Sequence, residues 1–150
     1  MLGRAKYCFL ITHGTEGWCS ARLVQPIVDD SEAFVLWFGT NPTLRKVQEI
    51  ENHPRVTVAI QNRRENANLV LYGTARVERD VALRRRWWMG TWRLFLPNGP
   101  AGDPYVVLRF EAERVELLNF RRDIIPEPFG LRPLVLVQRE GWALDEPERA

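Results

Sequence analysis

Hydrophobic and polar positions alternate in short runs along most of this chain, and the runs are separated by turn residues. Tyr7 to Thr12 is an apolar run of strand length, followed by a turn signal at His13-Gly14-Thr15-Glu16-Gly17. Trp18 to Val24 alternates, with Trp18, Ser20 and Arg22 on one face and Cys19, Ala21 and Leu23 on the other. After a turn at Asp29-Asp30-Ser31, Ala33 to Phe38 is the next strand, and the three together read as an antiparallel meander. Val56, Val58 and Ile60 mark another strand, and Leu69 to Glu78 a further one, in which Gly73 signals a bulge or a close backbone approach. Tyr105 to Phe110 and Arg114 to Leu118 read as two strands with a turn between them, and Leu134 to Val137 as a last short one.

The period changes to that of a helix twice. Asn41 is a good N-cap and Pro42 fits the first helical position, where a missing N–H costs nothing. Leu44, Val47 and Ile50 then form an apolar stripe, and Pro54 ends the helix near Glu51 or Asn52. Asp80 caps a second helix with Val81, Trp88, Trp92 and Phe95 on one face; Gly90 inside it points to a kink or an early end. The loop from Pro97 to Pro104 is too rich in proline and glycine to be helix or central strand. Most connections are too short for parallel crossovers. The expected fold is therefore mainly β with a few helices: an antiparallel barrel, closed or partly closed, of six to seven strands. Residues 1–150 are expected to form a single domain, with 140–150 a frayed tail.

Composition narrows the picture only slightly. A net charge of +2 is too small for a general nucleic-acid footprint, and no apolar run approaches the roughly 20 residues that span a bilayer. The expectation is a cytoplasmic protein with no nucleic-acid and no membrane partner. Arg84-Arg85-Arg86 before Trp87-Trp88 is better read as the outer face of an amphipathic helix than as a nucleic-acid contact. Cys8 and Cys19 form no metal pattern and are expected as buried thiols, although a disulfide between adjacent strands fits the sequence too. His13 and His53 are far apart in sequence, both beside turns, and are expected to face solvent rather than bind a metal; no metal site is expected.

The chemistry concentrates between Phe38 and Ile60. Thr40, the helix N-terminus after Pro42, Arg45 and Lys46 gather a hydroxyl, free N–H groups and two cations, and such a set suits an anion, phosphate first. Arg45 and Lys46 alone would read as a solvated helix face. Arg22 shifts the balance, because an unpaired guanidinium between apolar flanks is expensive. Motifs for nucleotide loops, zinc hydrolysis and serine nucleophiles are absent, so any reaction is expected to draw on a bound cofactor.

Taken together, FGTNPTLRKVQEIENHPRVTVAI, NLVLYGTARVERD and FLPNGPAGDPYVVLRFEAERVEL resemble the pyridoxamine 5'-phosphate oxidase-like split-barrel flavoproteins, especially their bacterial general stress protein branch. The resemblance runs from about Cys8 to Phe120, with His53-Pro54 where the family has an Asn-Pro-like helix end. It implies an FMN-binding split β-barrel with Greek-key connections, forming a homodimer with flavin at the subunit interface. By position, Arg22 and Lys46 would hold the FMN phosphate, with Thr40 and Arg45 assisting. The backbone of Leu23, Val24 and Gln25 would line the ring edge, Asn68 would make a polar ring contact, and Trp92 would reach the partner's flavin. Two departures count against pyridoxamine phosphate as the substrate: Pro26-Ile27 stands where the oxidases have a Lys, and no Arg-x-His lies near the C-terminus. Glu116-Leu117-Leu118 also lacks the family's aromatic wall. The resemblance thus implies a flavin-dependent oxidoreductase acting on a different small-molecule substrate. Alternatives on the same fold are a non-enzymatic flavin-binding stress or redox sensor, a deazaflavin-dependent reductase, or, less well matched, a haem protein.

Overall fold

Strand and turn chemistry of this kind wraps into one antiparallel sheet. The computed structural model describes residues 2–124 and 133–145. Its strands are β1 (Cys8–His13), β2 (Cys19–Val24), β3 (Ile27–Val28), β4 (Val35–Thr40), β5 (Arg55–Asn62), β6 (Ala67–Glu78), β7 (Val106–Asn119), β8 (Leu134–Gln138) and β9 (Trp142–Leu144). Its α-helices are α1 (Arg45–Asn52) and α2 (Val81–Arg86). The order across the sheet is β2-β1-β5-β6-β7-β4-β3, with β8 and β9 continuing from β7. The two ends of this path, β2 and β3, are consecutive in the chain and are separated only by Gln25-Pro26. The backbone itself therefore closes the ring that hydrogen bonds leave open, which makes a split barrel. Inside it, Leu10, Leu36, Phe38, Val58, Leu71, Leu108 and Phe110 form the main core, sealed at one side by Val47 and Ile50 of α1.

Several expectations change. The first three strands do not form a meander: β1 and β2 pair as a hairpin, but β4 pairs with β7 and β3. The two strands expected on either side of a turn after Phe110 are one strand, β7. Glu113 is its extra residue, because the register slips where Tyr72 faces Arg114 and Gly73 faces Ala112. Gly73 fits there because a Cβ would lie 1.9 Å from the Glu111 carbonyl oxygen. A bulge of this kind bends a strand without ending it, which explains why the polar interruption looks like a turn in sequence. Part of the supposed tail, Trp142–Leu144, is a strand, while residues 146–150 lie outside the described residues.

The second helix ends early, as Gly90 suggested. Asp80 caps it by accepting from the Leu83 N–H at 3.0 Å, and a 3-10 turn, Gly90–Leu94, follows a break. Phe95 lies exposed rather than on a buried face. Four of the tryptophans (Trp37, Trp87, Trp88 and Trp92) join Val35, Leu96, Tyr105 and Val107 in a second core on the outside of β4 and β7. Arg84 is not on an outer face. It is buried, donates to the Gly102 carbonyl at 2.6 Å and lies against the Tyr105 ring, so it pins the Pro97–Pro104 loop.

Candidate functional site

A buried carboxylate organises the cationic site. Glu49 on α1 is 6% exposed and accepts from the Thr12 hydroxyl at 2.5 Å, the Ser20 hydroxyl at 2.9 Å and Arg22 Nη2 at 2.8 Å. Arg22 Nη1 donates in turn to Thr12 Oγ1 at 2.5 Å and to the Leu10 carbonyl at 3.4 Å. Alternation along β1 and β2 aims Thr12, Ser20 and Arg22 at the same end of α1. Burial alone would raise the Glu49 pKa, but the bonds from Thr12, Ser20 and Arg22, with the Arg22 charge, hold it below its ordinary value.

Lys46 stands beside this cluster. Burial lowers its pKa first, and the like charge of Arg22 lowers it further. Arg22 is thus near enough for its charge to act on the Lys46 amine. Arg45, whose side chain is 76% exposed, reaches back from the first turn of α1 to place Nε 3.1 Å from Glu49 Oε1. Arg22 and Arg45 pair with Glu49 and Lys46 follows Arg45 on α1, so the group carries a net charge of +2, which matches a phosphate monoester dianion. Thr40, at the end of β4, has a buried Oγ1 with no hydrogen-bond partner among the described residues.

The helix start differs from the sequence expectation. Asn41 does not cap α1; its Oδ1 accepts from the Thr43 N–H at 2.9 Å and the Thr43 hydroxyl at 2.8 Å. That closes an Asx turn, and α1 begins only at Arg45, with Leu44 as a partly exposed N-cap residue. Arg45 and Lys46 thus occupy the first two helical positions, where their own backbone N–H groups are without intrahelical partners. Both the dipole and the side-chain charges are centred on the same turn.

The remaining site candidates separate by face. Leu23 points to the outer face of β2, opposite to Arg22, and is 59% exposed. Asn68 is also exposed on β6, where it pairs with Gln61 and Leu118. Because β2 ends the sheet path, its outward backbone groups beyond β1 are free to receive a ligand along Leu23, Val24 and Gln25. A ligand crossing this edge would have its tail at Arg22 and its body on the outer face. Trp92 does not join either group. Its ring covers Gly39 of the same chain, where an added Cβ would lie 2.0 Å from the indole.

Glu49, Thr12 and Ser20 escaped the sequence reading. The signal was present, since Thr12 shares the inward phase of Cys8 and Leu10, and Glu49 lies four residues after Arg45. His13 and His53 are exposed as expected but not apart, for their ring centroids lie 3.9 Å from each other. Among the described residues no group of three or more His, Cys, Asp or Glu could hold a metal, and no helix is long and apolar enough to cross a membrane. The cysteines are free thiols at opposite ends of the β1–β2 hairpin; Cys8 is buried as expected, whereas Cys19 is exposed.

Comparison with known proteins decides the family. The model of the pyridoxamine 5'-phosphate oxidase-like family matches residues 1–119. The chain belongs to that family. A Clostridium acetobutylicum protein related to general stress protein 26 of the pyridoxinephosphate oxidase family shares the fold with a TM-score of 0.71. It is 21% identical, over 80% of this chain and 84% of the other. A pyridoxamine 5'-phosphate oxidase-related, FMN-binding protein from Nostoc punctiforme aligns with a TM-score of 0.74 at 15% identity, covering 95% and 87% of the two chains. PhzG from Burkholderia lata, solved in complex with tetrahydrophenazine-1-carboxylic acid, aligns at 0.70 with 16% identity over 95% and 83%. No curated protein matches the sequence. A protein described as FMN-binding thus shares the fold of this oxidase-like chain.

Proposed function

We propose that this oxidase-like protein is an FMN-binding homodimer that transfers hydride to or from a small molecule other than pyridoxamine phosphate. The observation that carries this reading is the Arg22 fork locked by buried Glu49, with Lys46 close enough to feel the Arg22 charge. A site with two uncompensated positive charges, hydroxyls and free helix N–H groups suits a phosphate tail. The Thr40 hydroxyl, buried with no partner among the described residues, would add a donor. A bound flavin would supply two-electron redox chemistry, for which the protein needs no nucleophile of its own. Arg22 and Lys46 would anchor the phosphate, Thr40 and Arg45 would assist, and the free edge of β2 with Asn68 would position the ring. Support for the dimer comes from the outer face of β2-β1-β5-β6, where Phe9 and Leu23 are opposite one another and both more than half exposed, with Tyr72 nearby on β6.

The test is direct. Titration of the purified protein with FMN, followed by quenching of flavin fluorescence, should saturate at one flavin per chain. Lys46→Ala should weaken binding about 10- to 100-fold, the loss expected for one charged hydrogen bond. A protein that leaves FMN fluorescence unchanged would overturn the proposal.

A further inference from the structure

Away from the Arg22–Lys46 space, a second concave region is more strongly cationic. A cleft of about 590 Å³ lies between the N-terminal segment, the β5–β6 turn and Arg121. Five cations line it, Arg4, Lys6, Arg63, Arg64 and Arg121, against a single carboxylate, Glu65. None of the five makes an ion pair among the described residues, although eleven such pairs engage other arginines. Glu65 is already committed: the Asn119 amide donates to it at 2.9 Å, and Arg122 lies 3.6 Å away. The Asn119 bond holds its carboxyl below the ordinary range, so it stays ionised and occupied.

The walls are ordered by the backbone. Asn62 Oδ1 accepts from the Arg64 and Glu65 N–H groups at 3.1 and 3.3 Å, and Arg121 Nη1 donates to the Arg64 carbonyl at 3.2 Å. On the other side Leu2 and Ala5 pack against the main core and hold Arg4 and Lys6 in place. Like charges held this close repel one another unless an anion sits between them. Five charges exceed what one phosphate group balances, and the cleft is the size of a small-molecule site rather than a groove for a polymer. Arginine forks favour planar two-point contacts to phosphate oxygens.

We infer that this cleft binds an organic diphosphate of nucleotide size, through Arg63, Arg64 and Arg121 on one wall and Arg4 and Lys6 on the other. Gln61, which lines the cleft, is the cross-strand partner of Asn68. Resting on the proposed function, the cleft would therefore open beside the flavin ring and hold the anionic end of the reacting molecule.

Calorimetry with inorganic pyrophosphate on the purified protein, with excess FMN present to occupy the Arg22–Lys46 space, tests this. One saturable site per chain is expected, weakened at least tenfold in Arg63→Ala/Arg64→Ala and less than twofold in Lys46→Ala. Both arginines are exposed, so the double variant should retain the wild-type melting temperature. Citrate, an anion without phosphate, should bind at least tenfold more weakly. In flavin-loaded protein, pyrophosphate should shift the visible absorbance band. Absence of saturable binding overturns the inference. So does binding lost in Lys46→Ala but kept in the double variant, equal binding of citrate, or tighter binding of a DNA oligonucleotide. Pyrophosphate binding by a protein that takes up no flavin would keep the cleft and overturn the cofactor reading; flavin uptake without pyrophosphate binding would do the reverse.

Discussion

Glu49 makes the cationic site affordable in a folded protein, since without it the half-buried Arg22 would face Thr12 and Leu10 as an unpaired charge. Replacing it by an uncharged isostere should therefore cost stability in a pH-dependent way. The folded-state pKa of Glu49 lies below its ordinary 4.5, so its contribution is present above pH 4.5 and fades as pH falls through the folded value. Glu49→Gln should be about 1–3 kcal/mol less stable than the wild type at pH 7, with the gap closing below pH 4.5 in urea unfolding series. The thiols give a second residue-scale expectation. Burial pushes Cys8 up to about 12, while Cys19 is exposed. Native protein should react with one equivalent of iodoacetamide, at Cys19, and with a second only after unfolding. Arg22 was legible from sequence because a guanidinium between apolar flanks needs a reason, and it drew attention to Lys46, which alone reads as a solvated helix face. Glu49 was not, because a carboxylate on a helix ordinarily faces water.

At the scale of elements, two glycines set how closely neighbours approach. An alanine at Gly73 would drive its Cβ into the backbone of β7, which cannot move without breaking the ladder, and a loss of about 3 kcal/mol or more is expected. At Gly39 the obstacle is the Trp92 ring, a side chain that can be removed. Gly39→Ala should thus destabilise the wild type clearly in thermal unfolding but cost much less in a Trp92→Leu background. Strand positions were legible wherever apolar and polar residues alternate, as in Val56 to Ile60. The continuous β7 was not, because its bulge places Glu111, Glu113 and Arg114 in a polar cluster that mimics a turn. The late start of α1 was hidden for a similar reason: Asn41 and Pro42 serve a turn as well as they serve a cap.

For the whole molecule, the sheet order depends on partners that are distant in sequence, such as β4 with β7, and alternation alone carries no information on that choice. The family resemblance gave the split barrel and its Greek-key connections but not this pairing, so the first three strands read wrongly as a meander. The outer apolar face yields a further expectation: Phe9→Glu should shift light-scattering mass from dimer to monomer and release flavin with it, because the proposed function places that surface between subunits. The join at Gln25-Pro26 has a mechanical consequence. No ladder crosses that junction, so a protease site built there could be cut while every strand keeps its neighbours. The two fragments should stay together through gel filtration and come apart only in denaturant, a nicked hoop that still holds its shape.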